Sequence, residues 1–399
     1  MMSLLWLIFV FNWKIPIYSG IGNGIRIDDV LFIPLAIAIF VSGKFLYALR
    51  IKKLVLLYGL FTAVALLSMA VNAIFLEKVS ITFSALNIIR PIQYSLVFFL
   101  PFFDPRISHS KVFKLYTIYV CIIVVIQKFG YLGQFSQFNA VERPSGNTGG
   151  PYELAIICAF LVFYFLYRRN YLFLFANIGI IFVTNSRITI LVVCFIVFFY
   201  SFRVLKVSRV HKAMVSSAVM IFILFLLVAL PKERARFISV FSSDYLTYIE
   251  FLNTNIPECK SQEDFIFYDR YVIKSNLENE FSGDPSLFSR FSRWFLVYKT
   301  LLTNGIWAIA FGMGPGFFGL ALDGQFVRVL GEVGVVGLTI WIFVLYEMYK
   351  IVRRSPTAFS YFLALLGTSF FIDIFLSYKA MIFLWFVLGD RVSRRALDE

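Results

Sequence analysis

Residues 151–167 read PYELAIICAFLVFYFLY. Past the single carboxylate of Glu153 the run holds only apolar residues and tyrosine. As a helix it would rise about 25 Å, close to the roughly 30 Å of a bilayer's hydrocarbon core. Similar runs recur along the chain. They are continuous rather than alternating, which excludes a β-barrel. The 399 residues are 60% hydrophobic and only 15% charged, with 49 Phe and a mean hydropathy of +0.82. A soluble domain of that size would lack the polar residues to cover its surface.

Working outward from 151–167, twelve spans are expected: roughly 3–19, 28–46, 53–75, 82–103, 112–133, 151–167, 171–185, 187–204, 213–230, 325–349, 357–376 and 380–390. The predicted fold class is an all-α polytopic membrane protein with about twelve transmembrane helices. The first run has no basic n-region and no A-x-A site, so it is read as an uncleaved span. The last is the shortest.

Lys and Arg in the loops set the orientation. One set of connections carries Lys44, Arg50, Lys52, Lys53 and their counterparts at 106–114, 168–169, 203–212, 350–354 and 391–395, nineteen in all. The opposite connections carry only Arg26, Lys78, Arg143, Arg187 and Lys379. Both termini are therefore expected in the cytoplasm. The +14 net charge is a topology signal. The basic residues are spread over many loops rather than gathered in a patch, so nucleic acid is not an expected partner.

The connection 231–324 is different. Its 231–296 portion is polar and aromatic and lacks the cytoplasmic basic excess. Loops this long are usually functional or disordered, and its aromatics (Phe237, Tyr245, Tyr248, Phe265, Phe267, Tyr268, Tyr271) favour folding. Residues 290–303, RFSRWFLVYKTLLT, read as an amphipathic helix on the membrane surface. The layout is a nine-helix membrane portion at 1–230, a large outer loop at 231–324, three more spans at 325–390 and a cytoplasmic tail at 391–399. The cysteines form no disulfide framework. No Walker motif, zinc spacing or G-x-S-x-G is present.

The informative charges are the outer ones. Arg90 lies within span four, where an unpaired arginine costs several kcal/mol (roughly 2.5 or more), so it marks a functional site unless it snorkels or pairs with a neighbour. Arg143 sits in VERPSGNTGGPYELA (141–155), and Arg187 follows Thr184-Asn185-Ser186. Arg290 and Arg293 flank the amphipathic helix, and Arg328 lies just inside span ten. Arginine at a helix N-terminus opposes the helix dipole, which makes Arg143, Arg187 and Arg328 notable. Spans four, six, eight and ten all start at the outer face, so their free N–H groups point there and favour anions. Pro151 after Gly149-Gly150 suits such a start, as do the capping oxygens of Asn185-Ser186. Guanidiniums match phosphate oxygens. A polyanion site is expected on that face, with the 141–155 stretch as part of its cradle.

Span ten opens with FGMGPGFFGLALDGQFVRVLGEVGVVG (311–337). Its G-M-G-P-G tract cannot be helix interior. Asp323 is either an N-cap or an outward-facing general base. Glu332 is expected to partner an arginine. Asp28 and Asp29 are ordinary acidic caps of span two, or ligands for a divalent cation.

These residues resemble the O-antigen polymerase and ligase superfamily, specifically the Wzy-type polymerases. The resemblance is carried by Arg143-Pro-Ser-Gly146 with Gly150-Pro151-Tyr-Glu-Leu, by Asn185-Ser186-Arg187, and by Gly312-Met-Gly314-Pro-Gly316 followed by Asp323 through Gly337. Many spans with a large outer loop before the last few also match. Ligases of this superfamily typically have a histidine where Asp323 stands, which favours a polymerase. Gly324 stands where the family often has asparagine. The resemblance implies a GT-C-like helical arrangement in the bacterial inner membrane with the site facing the periplasm. It implies transfer of a growing glycan from undecaprenyl diphosphate to the terminal sugar of a lipid-linked repeat unit. The implied partners are lipid-linked oligosaccharide donor and acceptor, membrane lipids and a chain-length regulator; no cofactor and no metal are expected. Arg143 and Arg187 are expected to hold the diphosphate and Asp323 to act as base. Arg90, Arg290, Arg293, Arg328, Glu332 and Tyr152 are expected to bind substrate. An O-antigen ligase and a lipid-linked oligosaccharide flippase or transporter are the alternatives; a transporter should show helices broken at mid-membrane. A metal-dependent glycosyltransferase using Asp28 and Asp29 is the enzymatic alternative.

Overall fold

The computed structural model describes residues 2–12, 16–18, 25–76, 79–103, 109–131, 141–203, 217, 245–256, 258–273, 285–319 and 322–398. The expected ninth span, 213–230, and much of the outer loop lie outside them.

The chain is helical, consistent with a membrane protein. Its helices are α1 (Met2–Phe11), α2 (Ile27–Val41), α3 (Lys52–Met69), α4 (Ile81–Ser95), α5 (His109–Lys128), α6 (Pro151–Tyr167), α7 (Tyr171–Val183), α8 (Arg187–Arg203), α9 (Tyr245–Asn255), α10 (Gln262–Phe267), α11 (Pro285–Thr303), α12 (Gly305–Phe311), α13 (Gln325–Val352), α14 (Pro356–Ser369) and α15 (Tyr378–Asp398). Among the described residues, four continuous stretches are long and apolar enough to cross a bilayer: Lys44–Ile74, Ile81–Phe103, Ser110–Lys128 and Gln325–Val352. Asp29–Val41, α6 and α7 are shorter apolar helices.

Three expected boundaries are corrected. The first helix stops at Phe11, and Pro16–Tyr18 pairs antiparallel with Ile25–Arg26 as a two-stranded ribbon; proline at 16 lacks the N–H a continuing helix needs. The eleventh span ends early, at Ser369, and a break containing Asp373 precedes a 3₁₀ turn at Ile374–Leu376. The last helix is long rather than short. It runs from Tyr378 to Asp398 through the expected tail, where Asp390 and Arg394 pair one turn apart at 2.9 Å.

The largest core packs α6, α14 and α15 against α1, α2, α4 and α5, with Phe160, Tyr361 and Phe383 buried at its centre. A second core joins the described helices of the 231–324 connection to the glycine tract: Tyr248, Leu252, Phe265, Phe288, Leu296, Met313 and Phe317. The described part of the loop is therefore folded, as its aromatics predict. The apolar face of α11 packs on α12 and α13 rather than standing alone.

Helix starts converge at one end of the bundle. Lys379 at the start of α15 donates its backbone N–H to Glu153 at the start of α6 (2.7 Å) and its ammonium to the Val10 carbonyl at the end of α1 (2.8 Å). Asp373, just before α15, accepts from Gly324, just before α13 (3.1 Å). Asn185, just before α8, donates to the Glu142 carbonyl (3.4 Å).

Candidate functional site

The G-M-G-P-G tract does form a turn rather than a helix. It fills a gap in α13. Gly334 leaves the helical conformation (φ 74°, ψ −174°), a region open essentially to glycine alone. The break frees carbonyls that would otherwise bond along the helix. Met313 donates to the Gly331 carbonyl (2.8 Å), and both Gly314 (3.0 Å) and the Ser68 hydroxyl (3.0 Å) donate to that of Glu332. Gly312 is also left-handed, and a Cβ there would overlap the Glu332 backbone. The tract is outside the helix, and Gly334 is nine residues past Gln325, roughly 14 Å along α13.

Above this junction, three guanidiniums meet four carboxylates. Arg293 on α11 clasps Asp269 through Nε (2.9 Å) and Nη2 (3.4 Å) and reaches Asp323 with Nη1 (3.3 Å). Arg290, one turn earlier, places Nε 4.0 Å from Asp323. That is ion-pair range but beyond a hydrogen bond, and the buried Nε–H has no acceptor among the described residues. Arg328 on α13 is 2% exposed and pairs with Glu332 (3.0 Å) and with Asp373 (2.9 Å); it also donates to the Gly319 carbonyl (2.9 Å). Glu332 therefore has the arginine partner that its depth requires. Asp373 accepts from the Leu322 N–H (3.1 Å) as well as from Gly324, so one carboxylate ties two points of the loop before α13 to Arg328 on the helix itself.

That loop presents Asp323. It is one of three non-glycine residues with positive φ among the described residues (φ 57°). Its carbonyl accepts from the Trp294 indole (3.1 Å), and its side chain is 34% exposed. It is not a cap: Gly324 takes the N-cap position, with no side-chain cap bond. Gly324 leaves room for Trp294, since a Cβ there would lie 2.9 Å from Trp294 Nε1. Burial pushes the Asp323 carboxyl above the usual carboxylate range, and the Coulombic pull of Arg290 and Arg293 offsets only part of that. The group is a stronger base than a free aspartate.

The 141–155 stretch is corrected. It is not an open cradle of N–H groups. Residues 144–148 and 150 are buried. Gln127 Oε1 accepts from Ser145 (3.1 Å) and Gly146 (2.9 Å), Glu153 Oε2 accepts from Gly149 (2.7 Å), and the Thr148 hydroxyl takes the long bond from Gly150 (3.4 Å). Asn147 donates to the carbonyls of Val10 and Asn12. The glycines let the chain pack as a plug that joins α1, α5, α6 and α15. Arg143 stands half-buried beside the plug. The Asn185–Glu142 bond brings the start of α8 next to it, so the Arg143 and Arg187 backbones share one corner. The Arg187 side chain lies outside the described residues. Tyr152, the second residue of α6, packs partly buried against the main core.

Arg90 has a neighbour. It sits 3.7 Å from Asp29 at the start of α2, the ion-pair alternative for a membrane arginine. The Asp28 side chain lies outside the described residues, and Asp29 faces a guanidinium, so this pair is a poor cation site. A cavity of about 60 Å³ lies between α3, α4 and α13, with Gln325, Arg328 and Glu332 at its polar side and Tyr58, Trp341 and Phe375 among its apolar walls.

Sequence reasoning missed Asp373, Asp269, Gln127 and Glu153. Glu153 had a signal, since it is the third residue of α6, from where a glutamate reaches back to orphan N–H groups. The chain matches no protein-family model and no curated protein sequence.

Proposed function

We propose that the chain is a Wzy-type bacterial polysaccharide polymerase. It moves a growing glycan from undecaprenyl diphosphate onto the non-reducing-end sugar of a lipid-linked repeat unit. On this reading about twelve spans form a GT-C-like bundle in the inner membrane. The termini are cytoplasmic and the site faces the periplasm.

The observation that carries the reading is Asp323: a basic carboxylate in left-handed backbone, one third exposed, held by two arginines in front of a helix N-terminus. Backbone held in so sparsely populated a region marks functional sites. Asp323 takes the proton of the acceptor hydroxyl as its oxygen attacks the anomeric carbon, and the bond from that carbon to the lipid diphosphate breaks. The leaving diphosphate needs fixed positive charge. We assign that task to Arg143, Arg187 and Arg290. Arg293 and Arg328 act by fixing Asp323 and its loop.

A flippase or transporter is the second reading, favoured by the break at Gly334 inside α13. The carbonyls freed there are already hydrogen-bonded, so they offer no ready ion site of the transporter type. The test is to give the purified protein its lipid-linked repeat unit with a chelator present. A glycan ladder on a gel supports the polymerase. Lipid-linked glycan crossing the bilayer of vesicles without a ladder supports the transporter.

A further inference from the structure

The guanidiniums approach Asp323 on one oxygen only. Arg293 Nη1 (3.3 Å) and Arg290 Nε (4.0 Å) both reach Oδ2, and among the described residues no donor is placed on Oδ1. An unencumbered guanidinium would settle differently, with two parallel N–H groups, one on each carboxylate oxygen. On Arg293 that side-on edge is already taken. Its Nε and Nη2 span the two oxygens of Asp269 at 2.9 and 3.4 Å, and Nη1 is the group turned to Asp323. Arg293 and Asp269 are 14% and 17% exposed, so water does little to loosen the clasp. Asp269 is held in turn by its segment. Ser261 and Asp264 form a capping box at the start of α10. Gln262 donates to the Phe317 carbonyl (2.8 Å), just past the glycine tract, and Phe265 meets Phe318 edge-on at 5.1 Å. The π-helical turn at Tyr268–Ile273 that carries Asp269 follows directly; such turns are rare and occur often at functional sites.

We propose that Asp269 is a positioning residue: it occupies the fork of Arg293, so that the arginine steadies Asp323 through Oδ2 and leaves Oδ1 for the acceptor hydroxyl. This rests on the polymerase reading, and it gives the 231–324 connection a part in the chemistry. Without the Asp269 charge, Arg293 turns its fork onto both oxygens of Asp323. That covers the oxygen that has to take the proton. It also favours the ionised carboxylate, which makes Asp323 a weaker base. The other charges that act on Asp323 stay as they are: Arg290 on α11, Arg328 on α13 and Asp373 before α15.

Asp269→Asn keeps the shape of the side chain and removes its charge. In polymerisation assays the acid limb of its pH–rate profile moves lower by about one pH unit, as when an arginine closes on a carboxylate. Its kcat falls about tenfold, part of the roughly hundredfold or more that a general base supplies, and KM changes little. Asp269→Glu restores both the limb and kcat. A role in folding alone would lower the rate at every pH and leave the limb where it is. The Asp323 carboxyl is also titrated directly, by NMR of labelled carboxyl carbons in micelles, with Asp323→Asn used to assign the signal. Its midpoint moves lower in Asp269→Asn, with no turnover needed. A limb and a midpoint that both stay in place in folded Asp269→Asn would overturn the proposal and leave the polymerase reading standing. A midpoint that moves while the wild-type protein makes no polymer would support the hold on Arg293 and overturn the polymerase.

Discussion

Replacing Asp373 by alanine takes away the acceptor of two buried N–H groups and one of the two carboxylates that neutralise Arg328. The guanidinium is 2% exposed and Asp373 11%, so solvent does little to replace the lost partner. Removing one member of a buried pair typically costs about 3–5 kcal/mol. Glu332 and the Gly319 carbonyl still hold Arg328, which pulls the figure down. The orphaned Leu322 and Gly324 N–H groups, at about 1–3 kcal/mol each when dry, push it up. The expected loss is about 3–5 kcal/mol, read from SDS-titrated unfolding in mixed micelles. Asp390→Ala is the control. It breaks a pair of similar length on an exposed helix face and should cost under about 0.5 kcal/mol. Asparagine at 373 rescues only part, because its amide must point an N–H at one of the N–H donors. Asp373→Leu with Arg328→Met and Glu332→Gln should be more stable than Asp373→Ala alone, since no buried charge is left unpartnered. If Asp373→Ala unfolds within about 1 kcal/mol of wild type, the idea that this carboxylate ties down the Asp323 loop is wrong.

Alanine at Gly312 or Gly334 meets both a forbidden φ and neighbouring backbone, so each should destabilise by about 3 kcal/mol or more, in the same titration. Glu153→Gln places an amide N–H against one of two backbone donors and should cost about 1–3 kcal/mol, with activity falling only as far as folding does. The base must be ionised to work, so activity rises with pH through the Asp323 pKa, above the ordinary 3.8 of aspartate. Arg290→Gln removes a charge that favours ionisation, and the acid limb of the pH–rate profile should move to higher pH.

Much of the architecture was legible because it depends on local pattern. The run at 151–167 is a helix with those bounds, and Pro151 opens it. Arg328 and Glu332, four residues apart, had to share a helix face, and they pair. Asp323 was legible as a cap or a base, and the structure excludes the cap, since Gly324 takes that position. What failed depends on distant partners. Asp373 sits in an apolar run that reads as one span, and its purpose appears only when the loop 50 residues earlier folds onto it. The glycines of 145–150 read as a phosphate cradle because glycine serves close backbone packing and ligand approach equally well. Gln127, on another helix, and Glu153 show which applies. The break at Gly334 was hidden because the tract that fills it lies before α13 in sequence.

The most direct test of the account is polymerisation by the Asp323→Ala protein. Wild type and variant, matched for folding by size exclusion and by SDS midpoint, are given lipid-linked repeat unit and chelator, and the products are run side by side. The account predicts a ladder from wild type and none from Asp323→Ala. Equal ladders from the two would contradict the claim that this carboxylate is the base on which transfer depends.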